Sequence, residues 1–182
     1  MKNKLVMGSL IIFIVLLFMV CAVAVSAANN DSSDLTILTL SKGGITIEYP
    51  SNWGNSRSTS NYSVMAISKL DSIDAFGIGQ VNIQVEKNSL DKEFYTFLND
   101  TYDSMQKDSS FQLISSGSVA IDNNEAFEYI YTSNDGTVQK EHKAVWFERG
   151  GQAYVIMYSA PIDQFENNLY VFDYILSNMK IT

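Results

Sequence analysis

The chain has 182 residues, with 20 acidic and 12 basic side chains, and its formal net charge is −8 at neutral pH. An acidic surface without a basic cluster argues against nucleic-acid binding and against adhesion to anionic lipid headgroups. The single cysteine, Cys21, lies in the N-terminal apolar run. The rest of the chain therefore has no disulfide, no thiolate metal site and no cysteine nucleophile.

Residues 1–28 have the pattern of an export signal, because Lys2 and Lys4 precede about 20 uncharged, mostly apolar residues. Two outcomes stay open. The small residues Val25-Ser26-Ala27 suit cleavage by a signal peptidase, whereas the apolar run is also long enough to span a bilayer as a retained anchor. In both cases Lys2 and Lys4 stay on the cytoplasmic side of the membrane and the remainder of the chain is exported. We expect an extracytoplasmic protein, secreted or anchored, that contacts the membrane through this segment only.

Residues 29–34 form a short polar tether, and residues 35–182 form one domain large enough to bury a substantial core. The leader holds two of the basic residues and none of the acids, so the exported part carries a formal charge of −10. Asn30, Asn61 and Asn99 each begin an N-x-S/T sequon. These asparagines are possible glycosylation sites if the exporting host glycosylates.

The first half of the domain shows the period-two alternation of β-strands. LTILTL and ITIEY, separated by a turn at 41–44, predict a hairpin at the first edge of the sheet. Pro50 lacks a backbone donor and is expected to end the second strand, with Trp53 folding over the strand ends as an apolar plug. SVMAISKL and IGQVNIQVE predict two further strands. Between them we expect a loop that is partly packed through Ile73 and Phe76.

The period then changes to that of a helix. SLDKEFYTFLNDTYDSMQ places apolar residues on one helical face, with Ser89 as the expected N-cap. Four strands follow, at FQLISSGSVAI, EAFEYIYT, QKEHKAVWFE and AYVIMYS, joined by turns rich in Gly, Asn and Asp. A C-terminal helix is predicted to begin with a capping box of Asp163 and Glu166. Its expected buried stripe comprises Phe165, Leu169, Phe172, Leu176 and Met179.

Many strands with one inserted helix and one terminal helix indicate the α+β class, with the helices packed on an antiparallel sheet. The opening GITIEYPSNW, the mid-chain helix, the run of hairpins and the closing WFERGGQAYVIMYSAPIDQFENNLYVFDYILSNMKI together resemble the PsbP family. In that family a late strand pair with a glycine-rich turn leads to an aromatic-rich strand and a C-terminal helix. The corresponding parts here are 146–148, 150–151, 154–158 and 165–181.

The resemblance, which spans residues 35–182, implies an α/β/α sandwich with a central antiparallel sheet of about six to eight strands. PsbP is an extrinsic subunit on the lumenal side of photosystem II that helps to retain calcium and chloride, and the Ran-binding Mog proteins share its fold. The basic N-terminal segment by which PsbP engages its photosystem has no counterpart here, where the acidic tether takes its place. The chain more closely resembles the prokaryotic PsbP-related proteins that carry a leader.

The sequence contains no local motif for catalysis or metal binding. His142 is the only histidine, and without partners at ligand or base spacing it is expected to be solvated or on an edge strand. Two acidic loops, Asp71 with Asp74 and 122–125 with 134–135, offer oxygen ligands but lack the spacing of a calcium loop, and turn formation explains them equally well. We expect no metal and no cofactor. The later tyrosines are expected in the core, with a ligand pocket as the alternative: Tyr129, Tyr131, Tyr154, Tyr158, Tyr170 and Tyr174.

These observations favour a non-catalytic, exported, membrane-associated accessory or binding module, with a membrane protein or another envelope component as its partner. Two alternatives stay open. One is an enzyme whose carboxylates, such as Glu48, Glu128 and Glu148, meet only in the fold. The other, by analogy with PsbP, is a calcium-linked extrinsic subunit of a membrane complex.

Overall fold

A computed structural model describes residues 35–121, 124–134 and 138–182, so the leader and the tether, with Asn30, lie outside the described residues. The described chain forms two antiparallel sheets and two α-helices. The helices are α1 (Phe94–Met105) and α2 (Ile162–Asn178). The strands are β1 (Ile37–Lys42), β2 (Ile45–Pro50), β3 (Trp53–Asn55), β4 (Ser63–Lys69), β5 (Asn82–Ser89), β6 (Gln112–Ile121), β7 (Asn124–Asn134), β8 (Gln139–Arg149), β9 (Gln152–Pro161) and β10 (Lys180–Ile181).

The larger sheet, here called the main sheet, has seven strands in the order β3-β4-β5-β9-β8-β7-β6. This confirms the α+β class and the antiparallel sheet. The central strand β9 is almost entirely buried, as its apolar run predicted, because it lies between β5 and β8 and contributes to a packed core cluster on each of its faces.

The opening hairpin does not form the first edge of the main sheet, so that prediction was wrong. β1 and β2 pair with β10 in a separate small sheet of three strands. Ile45, Ile47 and Tyr49 are buried in the same core cluster as residues of α2. The hairpin thus presents its apolar face to the core beside α2 and needs no place along the edge of the main sheet.

Two core clusters lie on opposite faces of the main sheet. One contains Ile83, Ile156 and Val145 of the sheet together with Phe165 and Phe172 of α2. The other packs the sheet against the buried residues of α1, which are Phe94, Leu98 and Tyr102. The result is a layered sandwich, with α1 on one face and α2 with the small sheet on the other. We call these the α1 face and the α2 face.

Both glycine-rich hairpin turns form where predicted. Gly43 and Gly44 connect β1 to β2 with φ of 60° and 82°, and Gly150 and Gly151 connect β8 to β9 with φ of 60° and 71°. Positive φ at both central residues is the geometry of the two-residue turn that matches the twist of a hairpin, and glycine adopts it without strain. Pro50 is the last residue of β2, also as predicted.

The predicted helix starts were wrong in both cases. Ser89 is the last residue of β5, where it pairs with Gln152, and the N–H of Leu90 still donates to Gly151 O at 3.1 Å. The ladder with β9 therefore overrides the helix signal until α1 begins at Phe94. α2 follows β9 directly, with Pro161 at its N-cap and no side-chain cap, so Asp163 forms no capping box.

Other local predictions were partly right. Trp53 is 1% exposed, as expected of a plug, but it begins β3. Phe76 is 73% exposed and is not packed. Met179 is buried but lies just beyond α2. Among the described residues, neither helix combines the length and the apolar character needed to cross a membrane.

Candidate functional site

The α1 face is covered by a helix over only part of its area. α1 packs over β7 and β8, where Phe127, Tyr129 and Trp146 meet its aromatic residues. Beyond α1 the floor of the same face turns polar. Asn82 of β5, Ser159 of β9 and His142 of β8 are direct cross-strand neighbours, and they form a polar row across the sheet.

Two loop segments, 57–59 and 74–80, wall this polar floor and produce a cleft of about 480 Å³, here called the sheet cleft. Ser58 Oγ donates to Gln84 Oε1 at 3.0 Å, which ties the first wall to the floor. Asp74 Oδ1 accepts the backbone N–H groups of Phe76 at 2.8 Å and Ile78 at 3.0 Å. Both walls are therefore held by hydrogen bonds, so the cleft is preformed.

His142 lies at the β8 end of the polar row, and the prediction of a solvated or edge-strand histidine was wrong. β8 lies between β7 and β9, and the His142 ring stacks on Tyr131 with a centroid separation of 4.7 Å. Its Nδ1 lies 2.7 Å from Ser159 Oγ and its Nε2 lies 2.9 Å from Ser133 Oγ. A hydroxyl group can donate or accept, so the two serines fix the ring in either tautomer.

The row suits hydrogen bonding better than acyl transfer. Ser159 lies inside β9, flanked by Asn82 on β5 and His142 on β8. In such a central strand the backbone N–H groups belong to the sheet ladders, whereas an oxyanion hole needs donors that point at the reacting carbonyl. The floor instead offers hydroxyl and carboxamide groups for hydrogen bonding, whereas both ring nitrogens of His142 are already bonded to serine hydroxyls.

An apolar pocket of about 360 Å³ adjoins the sheet cleft, and Met157 lines both. Trp146 Nε1 donates to Tyr102 Oη at 2.9 Å within its wall. Burial raises the pKa of Tyr102 and of Tyr131 well above the ordinary range of a phenol. Both phenols therefore stay neutral in any physiological medium.

The candidate carboxylates are not brought together. Glu48 lies in the small sheet. Glu128 lies on the α2 face, where its Oε2 is 3.2 Å from Lys143 Nζ, and Glu148 lies on the α1 face beside Phe94. Lys143 also donates to Asp173 Oδ1 of α2 at 3.2 Å. Glu128 thus belongs to an ion-pair network that ties the sheet to α2.

Burial by itself would lower the pKa of the Lys143 ammonium, but hydrogen bonds to Asp173 and Glu128 outweigh it and hold that pKa above its ordinary value. The lysine therefore remains charged beneath α2. An interior cation with two carboxylate partners is a structural element of the α2 face.

The acidic loops serve local structure where they are described. Asp71 pairs with Lys69 at 3.0 Å, and Asp74 caps its own loop. Glu125 Oε2 accepts from Tyr95 Oη at 3.3 Å, whereas Asp122, Asn123 and Asp135 lie outside the described residues. Within the described ranges, no three His, Cys, Asp or Glu side chains cluster as a metal site would require.

The predicted tyrosines are divided between the two faces. Tyr129 and Tyr131 pack against α1, and Tyr154 and Tyr158 belong to the α2-face core or its rim. Tyr170 and Tyr174 are exposed beside Leu35 and Ile37, so the predicted core position was wrong for these two. The six tyrosines do not form one pocket. Two of the three sequon asparagines, Asn61 and Asn99, are described, and both are exposed.

The site was visible in the sequence only in part. The alternation in β5 predicted a solvated face, and Asn82 and Gln84 of that face line the cleft. Ser159 gave no signal, because it lies in the nearly apolar run AYVIMYS. Its meeting with His142 depends on the register of β8 with β9, which the sequence does not show.

No family model matches the sequence, and no curated protein sequence matches it. Solved structures do. Cyanobacterial PsbP (CyanoP) from Synechocystis sp. PCC 6803 is 17% identical over 81% of this chain and 94% of its own, with a TM-score of 0.58. LpqN, described as involved in cell envelope biogenesis of Mycobacterium tuberculosis, is 13% identical over 81% of this chain and 91% of its own, with a TM-score of 0.55.

A third structure is PA94 from Pseudomonas aeruginosa, described as a protein of unknown function and putative regulator. It is 10% identical over 78% of this chain and 94% of its own, with a TM-score of 0.52. At these identities the likeness shows the fold alone. The chain has the PsbP-like fold, as the resemblance in its sequence predicted.

Proposed function

We propose that this chain is a non-catalytic, exported, membrane-associated accessory module that binds its ligand or partner in the sheet cleft. One observation carries the proposal. A row of polar side chains occupies a sheet face that a helix covers elsewhere, and hydrogen-bonded loops hold the cleft above it open. Preformed concave sites with a few placed polar groups are where proteins bind ligands.

The proposed extracytoplasmic location of the module rests on the leader, which predicts export. Two structures of the same fold support it by their descriptions, one a cyanobacterial PsbP and one a protein of cell envelope biogenesis. We infer that the partner is a membrane protein or another envelope component. The acidic exported domain makes nucleic acid an unsuitable partner.

The test is site-specific photo-crosslinking in the native membranes of the full-length chain. A photoreactive residue replaces Thr59, which is exposed in the cleft wall, or Thr96, which is exposed on the outer side of α1. We expect one specific adduct at Thr59 and none at Thr96. The intact mass of the captured chain also shows whether the leader is cleaved or retained.

A floor variant, Gln84→Leu, sharpens the test. Gln84 is half-buried and accepts the hydrogen bond from Ser58 Oγ, so we expect Gln84→Leu to lower the free energy of unfolding by about 0.5–1.5 kcal/mol, to free the wall that carries Thr59 and to abolish the Thr59 adduct. Equal capture at Thr59 and Thr96 would refute the cleft as the binding site. Turnover of a substrate that Gln84→Leu abolishes would show an enzyme instead of an accessory module.

A further inference from the structure

The sheet cleft and the apolar pocket share one floor. Ser159, Met157 and Val155 are two residues apart on β9, so they face the same side of the main sheet. Ser159 lines the sheet cleft, Val155 lines the apolar pocket, and Met157 between them lines both. At about 3.3 Å per residue these three positions span about 13 Å. The cleft and the pocket are therefore the two ends of one trough along β9, here called the β9 trough.

The polarity of the β9 trough changes from one end to the other. In the sheet cleft, Asn82 and Gln84 of β5 supply carboxamides beside Ser159. At the other end, Glu86 and Asn88 of β5 are polar, but most of the lining is aromatic or aliphatic, including Phe97, Met105, Ala144, Trp146 and Val155. A ligand that fills both ends therefore needs one polar part and one apolar part.

The balance of charge at the polar end is opposite to that of the whole domain. Arg57, Lys140 and one acid, Asp74, line the sheet cleft, whereas the exported part of the chain has twice as many acidic as basic residues. Asp74 Oδ1 already accepts two backbone N–H groups of its own loop. A cleft lined by an excess of one charge attracts ligands of the opposite charge. The polar end therefore suits an anionic group.

Arg57 is held between the two walls of the cleft. Its backbone N–H donates to Gly77 O at 2.8 Å, and its Nη1 donates to Phe76 O at 3.3 Å. Phe76 O accepts one of the five N–H groups that a guanidinium carries. A guanidinium also matches the geometry of a carboxylate or a phosphate and binds either through two parallel hydrogen bonds. Arg57 is thus the positioned cation of the polar end.

We infer that the β9 trough binds an anionic amphiphile, with a phosphate or carboxylate head group at Arg57 and an alkyl chain that passes Met157 into the apolar pocket. A methionine side chain is flexible and adapts to such a chain. This ligand class rests on the proposed function, because both concern the sheet cleft. It goes further than that function, because a wholly polar ligand would leave the apolar end unfilled.

Photoaffinity labelling of the full chain in its native membranes tests this. The probe is octyl phosphate with a diazirine at the end of its alkyl chain, and mass spectrometry maps the labelled residues. We expect labels at the apolar end, on residues such as Phe97 and Met105, at least about tenfold more than with octyl glucoside that carries the same diazirine. Unlabelled octyl phosphate should compete, and inorganic phosphate at the same concentration should not.

Arg57→Gln is expected to reduce labelling at the apolar end about tenfold. Arg149→Gln is the matched control, because Arg149 is also exposed and its Nη1 donates to a backbone carbonyl, Ile181 O, at 2.7 Å. It should leave the labelling unchanged, and Arg57→Lys, which keeps the charge, should retain most of it. Unchanged labelling in an Arg57→Gln chain with the native thermal transition would overturn the inference. The comparison of head groups uses the unaltered chain and so does not depend on how the variants fold.

Crosslinking from Thr59 separates a failure of this inference from a failure of the proposed function. A specific protein adduct at Thr59 without labelling by the phosphate probe would overturn the amphiphile and keep the cleft as a binding site. Equal labelling by the phosphate and glucoside probes would overturn the anionic head group, and competition by inorganic phosphate would overturn the alkyl chain. The proposed function itself fails only if Thr59 and Thr96 capture equally.

Discussion

The two faces of the main sheet are built differently. The α2 face is covered by α2 and the small sheet, and its core runs from Trp53 and Ile83 through Ile156 to Phe172 and Ile175. The α1 face is covered by one helix over β7, β8 and part of β9, and the polar row lies beyond that helix. The α2 face supplies most of the packed core. On the function proposed above, the ligand binds on the open part of the α1 face, so stability and binding are separated.

The largest expected effect lies on the α2 face. Phe172 is fully buried, its ring packs 6.0 Å from that of Tyr158, and Lys143 Nζ lies 5.7 Å above it. We expect Phe172→Ala to cost about 3–5 kcal/mol, from lost burial and the cavity that remains. Urea unfolding followed by circular dichroism measures this.

Tyr170→Ala is the matched control for Phe172→Ala. Tyr170 is two residues away on the same helix but 60% exposed, so its removal should change the free energy of unfolding by less than about 0.5 kcal/mol. Similar losses for the two variants would mean that α2 does not bury Phe172 as the structure shows.

A smaller effect is expected in the covered part of the α1 face. Trp146 is buried, and its Nε1 donates to Tyr102 Oη at 2.9 Å. Trp146→Phe removes this hydrogen bond and leaves a small cavity, at a cost of about 1–2 kcal/mol. Because Tyr102→Phe breaks the same bond, the double variant should cost less than the sum of the single ones. Additive costs in urea unfolding would show that the bond contributes nothing.

Sequence patterns predicted the elements well wherever the local signal and the tertiary structure agree. Alternation located β5, a glycine pair located the β1–β2 and β8–β9 turns, and the apolar run of β9 predicted a strand packed on both faces. These patterns failed where residues distant in the sequence determine the local structure. Ser89 has a good N-cap residue type, but the ladder to Gln152 extends β5 through it.

The site was less predictable than the fold, for a similar reason. His142 gains its two hydroxyl contacts from Ser133 on β7 and Ser159 on β9, which are nine and 17 residues away in the sequence. Hydroxyls on neighbouring strands have no characteristic spacing. The alternation that predicted a solvated face on β5 was the only local sequence signal for the cleft.

The smallest expected effect is a change in the pH dependence of stability at Glu141, which lies at the edge of the α2 face. Burial, aided by the nearby carboxylate of Glu166, raises the pKa of Glu141 above its ordinary value. An acid whose pKa is raised by folding stabilises the fold only when protonated. That contribution is fully present below the pKa of the unfolded chain and is lost as the pH rises through the pKa of the folded protein.

Glu141→Gln mimics the protonated acid, so it should raise the melting temperature at pH 7 and raise it less near pH 4. Glu148→Gln removes the same charge from an exposed position on the same strand and controls for the general repulsion in an acidic protein. Calorimetry at the two pH values compares them. If Glu148→Gln raises the melting temperature at pH 7 by the same amount, the effect comes from net charge. Burial under α2 would then not reach Glu141.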